Sequence, residues 1–438
     1  MIKKLKKILK RKGLSKKAEQ FRPAMIIAAV LAFVVAGTTL ISFFIRGYRP
    51  DVKKGGFFST GLLAATSLPK GALVYVDEKL VTATDDTINL SPGEYHIKLI
   101  KDGYLPWEKK AIIKKEIVFQ TSAYLFRSAP DLHTLTNTGA LNPILSPDGL
   151  KIAYAVASSS AEIKNGLWVS QIDEGRLNLI RSNSRQLIAP VSFLDWSKAV
   201  LVWNPDSTEI LAIFGPSQEP SSVYRLPADK LTPSDQLRNV AYQLPFILAE
   251  WQEAKKEKLT RGLERLPEEL AKIASESAQL VTFSPHEKKV FYLATKETTI
   301  PENLLLHPPA RSDQPEERTI KPGRIYVYDL EQDTNFFVLE TDKIGLGQES
   351  LTQSENSLGQ YLTTAQAPIY WLATNNHLVF IEESQAKVIE ADGSNKQTVF
   401  AGTFENSYVF PSPDGNKLIV LISLHPHLPA NLYAVTIR

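Results

Sequence analysis

Ser146-Pro147-Asp148-Gly149-Leu150-Lys151-Ile152-Ala153-Tyr154 sets a tight turn directly in front of an apolar strand. Proline presets the turn, the aspartate side chain bonds nearby backbone N–H groups, and glycine tolerates a positive φ. The layout returns at Asn204-Pro205-Asp206-Ser207-Thr208-Glu209-Ile210-Leu211-Ala212, at Ser284-Pro285-His286-Glu287-Lys288-Lys289-Val290-Phe291-Tyr292 and at Ser412-Pro413-Asp414-Gly415-Asn416-Lys417-Leu418-Ile419-Val420. A weaker copy is Thr374-Asn375-Asn376-His377-Leu378-Val379-Phe380. A second element follows most copies: Gly166-Leu167-Trp168-Val169 before the turn Asp173-Glu174-Gly175, Arg324-Ile325-Tyr326-Val327-Tyr328 before Asp329 to Thr334, and Ala386-Lys387-Val388-Ile389 before Asp392-Gly393. Turn, strand, loop, strand, turn, strand at blade-sized intervals is the pattern of a β-propeller. Five blades are clear, and a sixth is expected only if one hides near the helical insertion described below.

The S-P-D-G-x-K-[IL] signature resembles that of TolB-like and WD-repeat-like propellers, and the resemblance spans residues 128–438. Outer strands are expected at Leu177–Ile180 and Phe336–Leu339. The last repeat reaches Arg438 directly after its third strand, which would leave an open edge, and open edges invite aggregation. The unassigned β-like segment Asp131-Leu132-His133-Thr134-Leu135-Thr136 is therefore expected to pair with Leu432–Ile437. Residues 246–277 break the β pattern: Phe246, Ile247, Trp251, Leu259, Leu263, Leu266, Leu270 and Ile273 recur among Glu and Lys, and Pro267-Glu268-Glu269 is a helix start. Two amphipathic helices are expected there, capping a propeller face or packed on its rim, with a partner-docking helix as the alternative. The long polar stretches 297–323 and 341–366 read as loops.

Upstream, Leu73-Val74-Tyr75-Val76, Thr87-Ile88-Asn89-Leu90 and Tyr95-His96-Ile97-Lys98-Leu99-Ile100 alternate apolar and polar residues between turns at Pro92-Gly93 and Asp102-Gly103. Such period-two runs predict a small antiparallel sheet or sandwich. Ser67-Leu68-Pro69-Lys70-Gly71-Ala72 with Val74-Tyr75-Val76-Asp77, then Leu90-Ser91-Pro92-Gly93-Glu94-Tyr95 with Lys101-Asp102-Gly103-Tyr104, resembles a PEGA domain. Glu78 departs from the glycine that the family tends to place after the aspartate. The resemblance implies a β-sandwich of bacterial surface proteins that serves as spacer or binding module. A self-contained unit over 67–127 is expected, preceded by a glycine-bearing linker over 46–66.

In front of these lies Ala24–Ile45, 22 residues without a charge, long enough for a helix to cross a bilayer. Lys3, Lys4, Lys6, Lys7, Lys10, Arg11, Lys12, Lys16, Lys17 and Arg22 precede it; Arg46, Arg49, Lys53 and Lys54 follow. Ten against four places the N-terminus in the cytoplasm under the positive-inside bias. The run exceeds the ~7 to 15 residues of a cleaved signal's core and ends on bulky Phe43-Phe44-Ile45, so an uncleaved single-pass anchor at 24–45 is expected in the cell membrane. The basic tail 1–23 would then lie on anionic lipid. Residues 1–49 carry 12 Lys/Arg and one acid, whereas the remainder carries 38 basic and 46 acidic residues. That acidic balance argues against a nucleic-acid partner. There is no cysteine, which removes disulfides, thiol catalysis and cysteine-based zinc sites.

No Walker loop, Gly-x-Ser-x-Gly, His-Glu-x-x-His or Gly-x-Gly-x-x-Gly occurs. His425 and His427 are next-but-one on an extended segment, and they are not assigned to a shared metal. Asp329, Glu331, Asp333 and Asn335 have alternate spacing but lack the EF-hand glycine and terminal glutamate, and they read as a solvated hairpin turn. Asp148 and Asp414 have turn roles. No catalytic, cofactor-binding or metal residue is assigned and no cofactor is expected. The sequence thus predicts a mainly β chain: transmembrane helix, PEGA-like antiparallel sandwich, then a propeller of five or six blades carrying a helical hairpin. Its expected role is non-catalytic binding or scaffolding outside the cytoplasm, with an envelope protein or polysaccharide as partner. The alternative is an exported propeller hydrolase with its site in the central channel.

Overall fold

The computed structural model describes residues 25–42, 48–51, 56–157, 165–172, 185–191, 194–215, 221–305, 314–344, 369–425 and 429–438. Its first element is α1, Met25–Ser42, which is uncharged and mostly apolar, exposed, and long enough to cross a membrane. The ends of the expected 24–45 run, the basic tail, the Leu177–Ile180 strand and most of 341–366 lie outside the described residues. So does His427.

Contacts divide the chain into two compact units. The first holds residues up to Ile97 together with Lys110–Ala123, and the second holds Lys98–Lys109 with Tyr124–Arg438. The expected border at 127/128 does not coincide with this division, which assigns Lys98–Lys109 and Tyr124 onward to the second unit.

Leu73–Val76 pairs antiparallel with Lys79–Ala83 in a sheet that continues through Gly93–Ile100 to Trp107–Ile113. A second sheet sets Gly61–Ala65 between Asp86–Leu90 and Val118–Gln120. Leu63, Ala65, Val74, Ile97, Ala111 and Ile113 form its core and are at most 1% exposed. Two expectations are corrected. The sandwich is not wholly antiparallel, since Val118–Gln120 runs parallel to Gly61–Ala65. The stretch 46–66 is not an unstructured linker, since Tyr48–Asp51 pairs with Gly56–Ser59 and Leu63 and Ala65 are core. Gly61 is required where it stands: a Cβ would lie 2.4 Å from both Ile113 Cγ2 and the Lys114 carbonyl. Asp77 and Glu78 both take positive φ, 47° and 62°, in the two-residue turn before Lys79. Glu78 thus adopts the backbone that glycine would adopt more easily.

The second unit is a propeller of five sheets. The first blade is Leu141–Leu145, Lys151–Val156, Gly166–Gln171 and Arg185–Pro190, and the second is Val200–Trp203, Glu209–Phe214 and Ser222–Pro227. The third is Ala278–Phe283, Lys289–Ala294, Arg324–Asp329 and Thr334–Glu340; the fourth is Ile369–Trp371, His377–Glu382, Gln385–Glu390 and Gln397–Ala401. The fifth contains Phe404–Pro411, Lys417–Ile422 and Asn431–Thr436, and its outer strand is Asp131–Thr134 from ahead of the first blade. Asp131 pairs with Thr436 and Thr134 with Tyr433, as the open-edge argument required.

Each second strand is buried on both faces and gives alternate residues to different neighbours, as period-two side chains must. Ala153 and Ala155 meet Ile210 and Ala212 of the second blade, while Ile152 and Tyr154 meet Ile419 and Leu421 of the fifth. Phe291 and Leu293 meet Leu378 and Phe380 across the third and fourth blades, and Val379 and Ile381 meet Val420 and Ile422 across the fourth and fifth. Between the second and third blades the pattern changes. Leu211 and Ile213 pack on α2 (Leu244–Leu263), and Val290 and Tyr292 pack on Leu270 of α3 (Glu268–Glu276) and on Leu266 just before it. The helical pair therefore occupies the place of a sixth blade. Gly262 lets α2 reach the third blade, since a Cβ there would lie 2.5 Å from the Phe283 ring.

Candidate functional site: a buried ionic junction on the fourth blade

The first strands of all five blades end in one backbone design. The Ser146 N–H bonds the Lys151 carbonyl and the Gly149 N–H bonds the Ser146 carbonyl, both at 2.8 Å. The same two bonds link Asn204, Ser207 and Glu209; Ser284, Glu287 and Lys289; Leu372, Asn375 and His377; and Ser412, Gly415 and Lys417. The fourth residue of each turn has positive φ, from 57° at Glu287 to 73° at Gly149. Asp148 and Asp414 act within these turns, accepting from Ser146 Oγ and Leu150 N, and from Ser412 Oγ and Asn416 N.

At the fourth blade this end carries a cluster of buried ionisable groups. Trp107, Lys109, Ala111 and Ile113 alternate along one strand, and Lys109 is the odd member of a buried face. Its ammonium meets Glu390 at 2.8 Å and also pairs with Asp392, with side-chain exposures of 12%, 4% and 13%. Trp107 Nε1 donates to Glu390, Asn395 Nδ2 donates to the same carboxylate oxygen at 3.1 Å, and Ser394 Oγ donates to Asp392 at 2.5 Å with Glu390 3.2 Å away. The Glu108 N–H and Gln397 Nε2 complete the docking, onto Asn395 Oδ1 at 3.0 Å and the Pro106 carbonyl at 2.7 Å. His377 lies beside this group, bonded through Nδ1 to Thr374 Oγ1 at 2.8 Å and packed against Tyr124 and Phe126 with ring centroids 5.4 Å away.

Burial alone would lower the Lys109 pKa, but Glu390 and Asp392 raise it above the ordinary lysine value. Burial opposes the charge on Asp392, yet Lys109 and the Ser394 hydrogen bonds hold its carboxyl below the usual range. His377 is pushed down by burial, against Glu390 and Asp392 and with Lys109 adding to the drop. These couplings suit a junction that fixes one segment on another: each buried charge has a partner, without which burial would cost several kcal/mol per ion. They do not form a nucleophilic relay, because Ser394 donates to a carboxylate and His377 is bonded to Thr374.

The Asp329 hairpin is a turn in which Asp329, Asp333 and Asn335 are buried, not solvated, while Glu331 stays exposed. Asp329 accepts from the Glu331 and Gln332 N–H groups at 2.9 and 3.1 Å and pairs with Lys289. Asp333 faces Tyr328 OH and Arg318, Asn335 accepts from Tyr292 OH at 2.7 Å, and Glu331 turns to Lys288 at 2.6 Å. Separate cations and hydroxyls draw the four side chains apart. No group of three or more metal-capable side chains occurs among the described residues.

None of the junction residues carries a local sequence motif. The one available signal was Lys109 on the apolar face of its strand, because a lysine there requires an acidic partner. The partners are 281 and 283 residues away.

The segment that supplies Trp107 and Lys109 has a family. Residues 60–128 match the PEGA domain. The PEGA match begins at the strand Gly61–Ala65 and ends just after Tyr124, so it includes both chain segments that dock on the fourth and fifth blades. No curated protein matches the chain. Among solved structures it is similar to TolB from Acinetobacter baumannii, at 11% identity and a TM-score of 0.23, over 84% of this chain and 64% of that one. It is also similar to a putative TolB from Agrobacterium tumefaciens, at 12% and 0.22 over 68% and 78%. An oligogalacturonate lyase from Vibrio parahaemolyticus is similar at 10% and 0.24, over 78% and 86%. This chain thus spans less than two thirds of the Acinetobacter protein's length.

Proposed function

We propose that this chain is a single-pass envelope protein, anchored by residues 24–45 with its tail 1–23 in the cytoplasm, and that its PEGA domain and propeller form a non-catalytic binding scaffold outside. The proposed parts are the tail, the anchor, a stretch that pairs Tyr48–Asp51 with Gly56–Ser59, the PEGA segment 60–128 and the propeller that follows. A protein or polysaccharide of the envelope is the proposed ligand class. The observation that carries this reading is α1: an uncharged helix, exposed along its length, ahead of two folded β units. The ten-to-four charge asymmetry supports the orientation. The ionic junction supports a scaffold role, since its charges are used to hold the docked segment.

Protease added to intact cells expressing the chain should digest the propeller, and the mature protein should retain residues 24–45. A protected propeller, or a mature N-terminus beyond residue 45, overturns the topology.

A further inference from the structure

Among the described residues outside α1, Phe246 and Tyr242 are the most exposed large apolar side chains, at 78% and 77%. Tyr242 lies in the 3-10 turn Ala241–Gln243 that leads into α2 and Phe246 in the first turn of α2, both exposed. The opposite face is full: Leu244, Ile247, Leu248 and Trp251 are buried against Val202, Leu211, Ile213 and Val223. The two aromatics therefore contribute nothing to that core. Along the same stripe the next positions are Glu250 and Glu253, both exposed, and among the described residues neither has an ion-pair partner.

The stripe also has a defined place. The Val240 N–H bonds the Val223 carbonyl just before α2. Near its other end Lys258 bonds the Pro205 carbonyl and Asp206 at the second blade's tight turn. Twenty residues span about 30 Å, so α2 runs the height of the blade and presents Tyr242 and Phe246 at the end opposite the turns. The docked segments occupy the turn end, at Glu390, Asn395 and His377.

We infer that Tyr242, Phe246, Glu250 and Glu253 form a docking stripe for a protein partner whose apolar pocket is edged by Lys or Arg. Aromatic anchors favour interfaces, and the two carboxylates set the sign of the partner's charge. An anionic lipid surface would repel the same carboxylates. The inference rests on the binding-scaffold reading above and is independent of its membrane topology.

The chain has no cysteine, so Ala249→Cys gives one labelling position beside the stripe. Full-length protein carrying an environment-sensitive dye there is titrated, in neutral detergent, with a synthetic Leu–Lys amphipathic helix and with its Leu–Glu counterpart. Saturable binding of the Leu–Lys peptide alone is expected. Phe246→Ala should weaken it at least tenfold, and Glu250→Gln with Glu253→Gln should weaken it several-fold and flatten its salt dependence, all with unchanged thermal midpoints. Equal affinity in the parent and Phe246→Ala proteins overturns the stripe and leaves the scaffold reading standing. A dye response to anionic nanodiscs without peptide overturns the choice of partner. Failure of the protease test on cells would alter neither readout.

Discussion

The turn Ser412–Lys417 and the turn Leu372–His377 share one backbone and are held in different ways. In both, the first-residue N–H bonds the sixth-residue carbonyl at 2.9 Å, and the fourth residue has positive φ, 68° at Gly415 and 60° at Asn375. The fifth blade's turn is supported from within. Ser412 Oγ bonds Asp414 and accepts from the Lys417 N–H at 3.0 Å, and glycine takes the left-handed position. The fourth blade's turn has neither serine nor aspartate nor glycine at those places. Its side-chain support from within is Thr374 Oγ1, bonded to His377 Nδ1 and reached by the Asn376 N–H; Tyr124 and Phe126 brace His377 from outside, next to Lys109, Glu390 and Asp392. A turn can therefore lose its local motif without losing its shape, provided tertiary contacts replace it.

The most damaging test of this contrast is Lys109→Met. It leaves Glu390 and Asp392 buried without their shared cation, a change that costs about 3–5 kcal/mol for a buried pair. The thermal midpoint should fall further than with any single change in the Ser412 turn; a negligible shift would show that the fourth turn does not depend on the junction.

Gly415→Ala and Gly149→Ala separate conformational strain from packing. Both force alanine to positive φ, at roughly 1–2 kcal/mol. At Gly415 the new Cβ would also lie 3.0 Å from Ala373 Cβ, whereas at Gly149 nothing lies within 4 Å. Denaturant midpoints should rank Gly415→Ala as the more destabilising; the reverse order would contradict the interblade contact.

Acidity tests the brace on His377. Its folded pKa is depressed, so the folded chain takes up this proton later than the unfolded one, and stability is present above the unfolded value of about 6.5 and lost as pH falls below it. His377→Phe keeps an aromatic ring beside Tyr124 and Phe126 and should flatten the fall in thermal midpoint between pH 7 and 5. A slope identical to the parent's would remove His377 from the brace.

The smallest effect is expected at Glu287, which takes φ 57° in the third blade's turn. Glu287→Gly should stabilise by up to ~1 kcal/mol, less the exposed pair with Arg265, worth ~0–1 kcal/mol. Asn375→Gly should change little, since asparagine tolerates the left-handed region and its side chain accepts from the His286 N–H at 3.0 Å. A gain at Asn375 larger than at Glu287, read from thermal midpoints, would reverse the assignment of which turn is strained.

What was legible in the sequence was whatever local chemistry repeats. Pro-Asp-Gly before an apolar run marks a turn and a doubly buried strand wherever it occurs, and erosion at Ser207, Glu287 and Asn375 did not hide the flanking apolar strands. The pairing of Asp131–Thr134 with the last blade was readable too, because an unpaired edge and an unassigned strand must each find a partner. The burial of Asp329 and Asp333 was not readable, since Lys289 reaches the hairpin from another strand and Arg318 from the segment before Thr319–Ile320.

By itself, the sequence determined the apolar helix, the PEGA-like strands and the five blade turns, because propensity, periodicity and turn chemistry act over a few neighbouring residues. Only the tertiary structure decided that α2 and α3 stand in the place of a blade, which of their apolar residues stay exposed, and that Trp107 and Lys109 meet Glu390 and Asp392. Those outcomes depend on side chains brought together across some 280 residues, and a buried charge leaves no periodic trace of the partner that makes its burial tolerable.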